Sequence, residues 1–288
     1  MERTIRLAKI GGICILAAFV LLVWYAVFVY EARANPRMTF FDVGQGDAIF
    51  IEMPNGNQVL IDGGPGGRVL AKLGRAMPFW DRSIDVLILT HPHLDHVEGL
   101  IEVVKRYRVG MVVTSGAEYK TPESEEWQKI IHEKNIPIHI ARAGERFNLG
   151  DGGVLDIFLP LEDFSGSAPK EIHDAMVAAK FSFGKSSALL MGDAEREFEY
   201  KLVFFGFPLD SDILKVGHHG SKTSSAEEFV RAVSPDVSII EVGKKNRYGH
   251  PHEETIRTLS QFGGRILRTD ESGDIRVFFT ENGMRIIP

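Results

Sequence analysis

The segment Thr90-His91-Pro92-His93-Leu94-Asp95-His96 sets three imidazoles and a carboxylate within six residues. Imidazole nitrogen and carboxylate oxygen are the donors that Zn²⁺ and related divalent ions take. As plain surface groups they would repel one another when protonated and would fill no core. His91 and His93 alternate by two, so at the end of an extended strand they point the same way. Asp95 and His96 fall in the turn that opens a helix and face the same crevice from its other side. Four donors in so short a stretch exceed what one ion needs, which predicts two adjacent ions.

Three further segments bring chemistry of the same kind. Leu189-Leu190-Met191-Gly192-Asp193 is an apolar strand ending in a carboxylate, placed either to bridge two ions or to cap a helix from Ala194. Ile213-Leu214-Lys215-Val216-Gly217-His218-His219-Gly220-Ser221 is a second strand running out into histidines. Adjacent residues do not readily face one ion, so one of His218 and His219 is expected to ligate and the other to support it. The last is Asn246-Arg247-Tyr248-Gly249-His250-Pro251-His252. His173, about twenty residues before Asp193, could complete one shell, whereas His132 and His139 fit no such pattern and read as structural or surface groups. Lys215, Ser221, Lys222, Lys244, Lys245, Asn246, Arg247, Tyr248 and His250 gather in two loops, a basic and hydroxyl-bearing rim suited to a phosphate ester. Lys244-Lys245 taken alone reads as solvated charge. From this rim Ser221, Lys222, Lys245, Asn246 and Tyr248 are candidate substrate contacts. Asp95, Tyr248 and His250 are candidate catalytic groups.

These residues need a scaffold of strand ends. Met38–Val43, Ala48–Met53 and Gln58–Ile61 read as strands, with Pro54-Asn55-Gly56-Asn57 turning between the last two. Asp85–Thr90 is a short apolar strand and Val97–Arg108 has helical spacing. Met111–Val113 follows as a strand, then a helix near Ser124–Glu133. Strands are expected at Val154–Phe158, Ala178–Phe183, Ala188–Met191, Ile213–Val216, Val237–Val242, Arg265–Arg268 and Ile275–Phe279. Helices are expected from Ala194 to Phe204, from Ala226 and over Glu253–Phe262. Hairpins first and strand–helix units later predict a layered α/β domain over residues 38–288.

The N-terminus is of another kind. Residues 10–30 carry no charge and would span roughly 31 Å as a helix. A basic stretch, residues 1–9, precedes them and Trp24, Tyr25 and Tyr30 close the far end. That pattern predicts a single membrane anchor with its amino end in the cytoplasm, residues 31–37 as a linker, and the domain outside. Cleavage at Ala32-Arg33-Ala34 would instead release the domain as a secreted protein. The chain has 288 residues, a net charge of −6 and one cysteine, Cys14, which lies within the apolar stretch. That excludes a disulfide framework and binding of nucleic acid through bulk positive charge.

From Met38 to the C-terminus the chain resembles the metallo-β-lactamase-fold hydrolases. More narrowly it resembles the metallo-hydrolase domain of ComEC-type competence DNA-uptake proteins. The residues that carry this are Asp42-Val43-Gly44-Gln45-Gly46-Asp47, Asp62-Gly63-Gly64, His91-x-His93-x-Asp95-His96 and Gly192-Asp193. Lys215 to Ser221 and Asn246 to Pro251 complete the set. The resemblance implies a four-layer αββα sandwich and two divalent ions, Zn²⁺ with Mn²⁺ as the second candidate. It assigns one ion to His91, His93 and His173, the other to Asp95, His96 and His218 or His219, with Asp193 bridging. Water held between two such ions would lose its proton near neutral pH. His93 stands where ComEC domains commonly carry an acidic residue, and one anchor replaces their multi-pass channel, so a transport role does not carry over. The function expected is an extracytoplasmic phosphodiesterase or nuclease acting on single-stranded DNA or another phosphodiester. A hydrolase of a small lactone or phosphocholine-type ester is the alternative, and a non-catalytic surface protein stabilised by metal is the alternative of another class. No obligate protein partner is evident.

Overall fold

The computed structural model describes the backbone of residues 2–32 and 34–288 and the side chains of residues 9–24 and 34–288. The chain divides into two units, Met1–Asn35 and Pro36–Pro288. The first holds one helix, α1 (Glu2–Ala32). Its apolar side chains from Ile10 to Trp24 are exposed. The anchor expected over residues 10–30 reaches onto 25–30, and the cleavage site at 32–34 onto Arg33; those side chains lie outside the described residues. Among the described residues no helix is long and apolar enough to cross a membrane.

The second unit contains two sheets. The first is built from β1 (Arg37–Phe40), β2 (Ile49–Glu52), β3 (Gln58–Ile61), β4 (Ser83–Ile88), β5 (Arg108–Thr114) and β6 (Ile138–Ile140). The second holds β7 (Arg146–Gly150), β8 (Gly153–Leu159), β9 (Ala178–Phe183), β10 (Ser186–Leu190), β11 (Ile213–Lys215), β12 (Val237–Ile240) and β13 (Arg265–Arg268). The C-terminal β14 (Ile275–Thr280) and β15 (Gly283–Ile287) return to the first sheet, whose order is β15-β14-β1-β2-β3-β4-β5-β6. Three helices follow the strands of the first sheet: α2 (Arg68–Ala76), α3 (Leu94–Arg106) and α4 (Pro122–Glu133). Four follow those of the second: α5 (Arg196–Phe204), α6 (Glu227–Val233), α7 (Glu253–Phe262) and the short α8 (Thr269–Ser272).

Side-chain alternation sets the layers. In β2, Ile49 and Ile51 enter a core shared by both sheets, while Phe50 packs in a second core with Val69, Leu73, Leu100 and Trp127 of the helices. In β3, Val59 and Ile61 face inward and Leu60 outward. A third core lies between the second sheet and its helices, around Leu189, Leu202, Leu214, Phe229 and Leu259. The order is therefore helix, sheet, sheet, helix, as expected. Strands buried on both faces read as continuous apolar runs, which is why the sequence announces them.

Strand direction decides where the functional groups gather. β3, β4 and β5 run parallel in one sheet, and β10, β11, β12 and β13 in the other. In each sheet the loops that leave the ends of these strands therefore open on one side. Those loops carry Asp62, residues 90–96, Asp193, residues 216–221 and residues 241–252.

Candidate metal centre

β4 ends at Ile88, and two residues later the chain leaves the sheet through Thr90 and His91, both buried. His93 is the residue before α3, in extended conformation, and Asp95 lies in that helix's first turn. Asp62, just past β3, fixes this corner. Its carboxylate accepts from the Thr90 backbone N–H at 2.9 Å, from the Thr90 hydroxyl at 2.6 Å and from His96 Nδ1 at 2.8 Å. α3 can sit so near because Gly63 and Gly99 meet backbone to backbone. A Cβ on Gly99 would stand 1.9 Å from the Gly63 carbonyl oxygen. His96 Nε2 is thereby turned toward Asp193, 3.4 Å from its Oδ2.

The other donors converge on the same carboxylate. His91 Nε2 lies 3.8 Å from Asp193 Oδ2 and 3.0 Å from His93 Nδ1. His219 Nε2 lies 3.5 Å from Asp193 Oδ1 and 3.5 Å from Asp95 Oδ2. His173, in a short turn at Ile172–Ala175, packs its ring 5.1 Å from that of His91 and 4.8 Å from that of His93. The His96, His173 and His219 Nε2 atoms and Asp193 Oδ1 are buried with no hydrogen-bond partner. Donors of one tetrahedral ion with arms of about 2.0–2.2 Å stand about 3.3–3.6 Å apart. Unpaired buried donors at such separations fit divalent ions and no ordinary packing role. Ligand groups form at His91, His93 and His173, at His91, His96 and Asp193, and at Asp95, His96 and His219.

Electrostatics follow from crowding. Burial and the neighbouring His96 hold His91 well below the usual imidazole range. Burial and His173 bring His93 to about 4. Neutral imidazoles of this kind are ready ligands. Burial opposes charge on His96, but Asp193 and Asp62 carry it well above its ordinary value. The same opposition at His219 is overcome by Asp193 and Asp47, which push it up to about 10. Burial would raise Asp95, yet the His219 imidazole 3.5 Å away and the charge of His96 bring it to about 2. Protons on His96 and His219 thus balance the carboxylates, and an ion taking their place would release them.

His218 and His219 both adopt left-handed backbone, φ 49° and 53°, and both rings turn toward the cluster. The structure corrects several other sequence expectations. Lys215 is no rim cation: it is fully buried, donating to Asp47 and, at 2.9 Å, to the Gly192 carbonyl. Asn246 commits its amide to the loop, with Nδ2 donating to the Gly243 and His250 carbonyls and Oδ1 accepting from the Tyr248 and His250 N–H groups. Ser221 is buried and shares its hydroxyl with Thr223. Neither has a free polar group for a substrate. Lys222, Lys244 and Lys245 are exposed, as is Tyr248, whose ring stacks on that of His250 at 5.7 Å. His250 packs 5.7 Å from His218 and is drawn to about 4 by burial and by His219. His139 pairs with Glu145 and His132 is exposed, away from the cluster.

Four contributors have no role that the sequence alone assigns. Asp62 and Asp47 stand inside the motifs that carry the resemblance, but their partners are remote in sequence. Glu195 follows Asp193 by two residues and is masked there by the expected start of α5. Tyr119, whose ring lies 5.4 Å from that of His93, sits in a loop with no recognisable pattern.

Two sheets with histidine and carboxylate donors at their strand ends define a metal-binding α/β fold. Residues 41–243 match the metallo-beta-lactamase superfamily, and the chain belongs to it. Its members are generally metal-dependent hydrolases. The chain is 30% identical over 94% of its length to ComE operon protein 3 of Bacillus subtilis, covering 36% of that protein. It is 28% identical over 93% of its length to Recombination protein 2 of Haemophilus influenzae, covering 32% of that one. The chain thus spans about a third of these relatives. Among solved structures, the diiron β-hydroxylase CmlA of Streptomyces venezuelae aligns with a TM-score of 0.53 and 17% identity. The alignment covers 88% of this chain and 54% of that one, a likeness of fold alone.

Proposed function

We propose that the second unit is a metal-dependent phosphodiesterase with nuclease activity, of the kind the competence-protein relatives suggest. The observation that carries this reading is the rim: Lys222, Lys244, Lys245 and Arg247 are all exposed on the two loops that also carry His218, His219 and His250. Four solvated cations beside a ligand cluster suit an anionic ester better than a neutral one. Divalent ions held by His91, His93, His173, Asp95, His96, His219 and Asp193 would activate water and neutralise charge on the phosphoryl group. Asp95, ionised at neutral pH, would orient the attacking water from the wall of the cluster. Lys222, Lys245 and Arg247 would hold flanking phosphates, with the Arg247 guanidinium resting 5.1 Å over the half-exposed Tyr248 ring. The net charge of −6 predicts modest, salt-sensitive affinity with little sequence preference.

Placement outside the cytoplasm on a membrane anchor belongs to the same proposal. The exposed apolar side chains from Ile10 to Trp24 of α1 support it.

The test is turnover. The full chain, loaded with Zn²⁺ or Mn²⁺, is offered single-stranded DNA, bis-p-nitrophenyl phosphate and a lactone side by side. DNA cleavage that falls with Lys245→Ala, while hydrolysis of the small phosphate persists, is the expected result. Lactone turnover without either phosphodiester would replace the reading with a small-ester hydrolase. Bound ions without any turnover would leave a metal-stabilised binding protein.

A further inference from the structure

Three histidines of the cluster share one arrangement. His96 sets Nδ1 2.8 Å from Asp62 and Nε2 3.4 Å from Asp193 Oδ2. His219 sets Nδ1 3.2 Å from Asp47 and Nε2 3.5 Å from Asp193 Oδ1. His218 repeats this: Nδ1 lies 3.3 Å from Glu195 Oε1 and Nε2 3.8 Å from Asp193 Oδ2. In each, a carboxylate behind the ring favours the tautomer that leaves Nε2 with a lone pair toward the shared Asp193. Resting on the reading of the cluster as a metal centre, we infer that His218 is a metal ligand in its own right beside His219, and that Glu195 is the residue that positions it.

The backbone supports this. Left-handed conformation is costly at a non-glycine residue, and here it occurs at two in succession, His218 and His219. An ordinary turn would send one of the two rings to solvent; this one brings both inward. Glu195 is itself held, accepting from the Thr223 hydroxyl at 2.9 Å, and Thr223 Oγ1 stands 3.4 Å from His218 Nδ1. The His218 ring packs 4.9 Å from that of His173, on the side of the cluster occupied by His91 and His93.

A difference between the two ions follows. With His218 added, His91, His93, His173 and the shared Asp193 would give one position five protein donors. Asp95, His96, His219 and Asp193 give the other four. A position closed by protein holds its ion fast, whereas one with fewer donors keeps room for substrate. The first ion is therefore the slow-exchanging one and the second the site of turnover.

The test counts ions and reads their coordination. The full chain is loaded with Co²⁺ and titrated with a chelator, with bound cobalt measured by mass spectrometry and by visible absorption. The wild-type chain should retain one ion at chelator concentrations that remove the other. Glu195→Ala should weaken the retained ion about 10–100-fold and alter its absorption. Glu195→Gln, whose carbonyl still accepts from Nδ1–H, should recover part of that loss. His218→Ala should make both ions exchange readily; if that variant does not fold, the two Glu195 variants decide. Unchanged affinities and spectra in Glu195→Ala and His218→Ala would overturn the inference and reassign His218 to substrate. A wild-type chain that binds no cobalt would overturn it together with the metallo-hydrolase reading. Two unequal ions without phosphodiester turnover would overturn only the proposed substrate.

Discussion

Asp62 shows how much one residue behind the donors can decide. Its carboxylate holds Thr90 and His96 together, and with them the strand end and the first turn of α3. Asp62→Asn keeps the shape but offers an amide N–H where His96 needs an acceptor, so the imidazole loses its fixed tautomer. Metal affinity is expected to fall about 10–100-fold with little loss of folding, measured by chelator competition. An unchanged affinity would mean that His96 is positioned without it. Glu199 makes a different prediction at the same scale. It is fully buried, accepts from the Ser225 and Ala226 N–H groups, and burial pushes it up to about 7. The folded chain therefore holds this proton more tightly than the unfolded one, whose value is near the ordinary 4.5. Its contribution to stability is full below pH 4.5 and is lost as pH rises through 7, at most roughly 3 kcal/mol. Denaturant unfolding between pH 5 and 8 should show this slope in the wild-type chain and a flatter one in Glu199→Gln.

α3 is the element on which the centre depends, since it brings Asp95 and His96 and is seated through Gly63 and Gly99. Gly99→Ala would put a Cβ 1.9 Å from the Gly63 carbonyl, a backbone atom that no side-chain rotation relieves. The helix must lift, so stability should drop by about 1–3 kcal/mol and metal affinity should fall with it. Gly74→Ala in α2 is the control: its Cβ would meet nothing within 4 Å, and the change should stabilise by about 0.4–1 kcal/mol. Parallel denaturation and chelator titrations check both, and equal effects would sever the link between the α3 seat and the metal centre. Legibility at this scale follows burial. β3, β9, α7 and β13 have the bounds the sequence suggests: two-sided burial marks β3 and β9 and helical spacing marks α7, while β13 is a partly exposed edge strand. α2 escapes a sequence reading because glycines precede it and Gly74 interrupts it. β6, β7 and β15 escape it because short or edge strands that are partly exposed need no regular apolar alternation.

For the whole molecule, donors can be read from the sequence but their supports cannot. Three imidazoles and a carboxylate stand within six residues, whereas Asp62 lies 34 residues from His96 and Asp47 lies 168 from Lys215. The first distance closes when β3 and β4 pair side by side in the first sheet, whereas the second closes only when the two sheets pack, because the Asp47–Lys215 pair spans them. Asp47 lies in the loop before β2 of the first sheet; Lys215 ends β11 of the second, and both are buried. Lys215→Met would leave the Asp47 carboxylate buried without its cation, at a cost of about 3–5 kcal/mol. Replacing both, Asp47→Leu with Lys215→Met, removes the stranded charge and should restore most of that stability, because an apolar pair of similar volume is often as good as a buried ion pair. The double variant should still bind metal more weakly, since His219 Nδ1 would keep only the Glu241 carbonyl, now 2.9 Å away, and lose the carboxylate beside it. Denaturant midpoints and chelator titrations on the same three proteins separate the two roles. Restored stability with weakened metal binding would show that the pair joins the sheets and also aims a ligand. Restoration of both would reduce it to a fastening between layers.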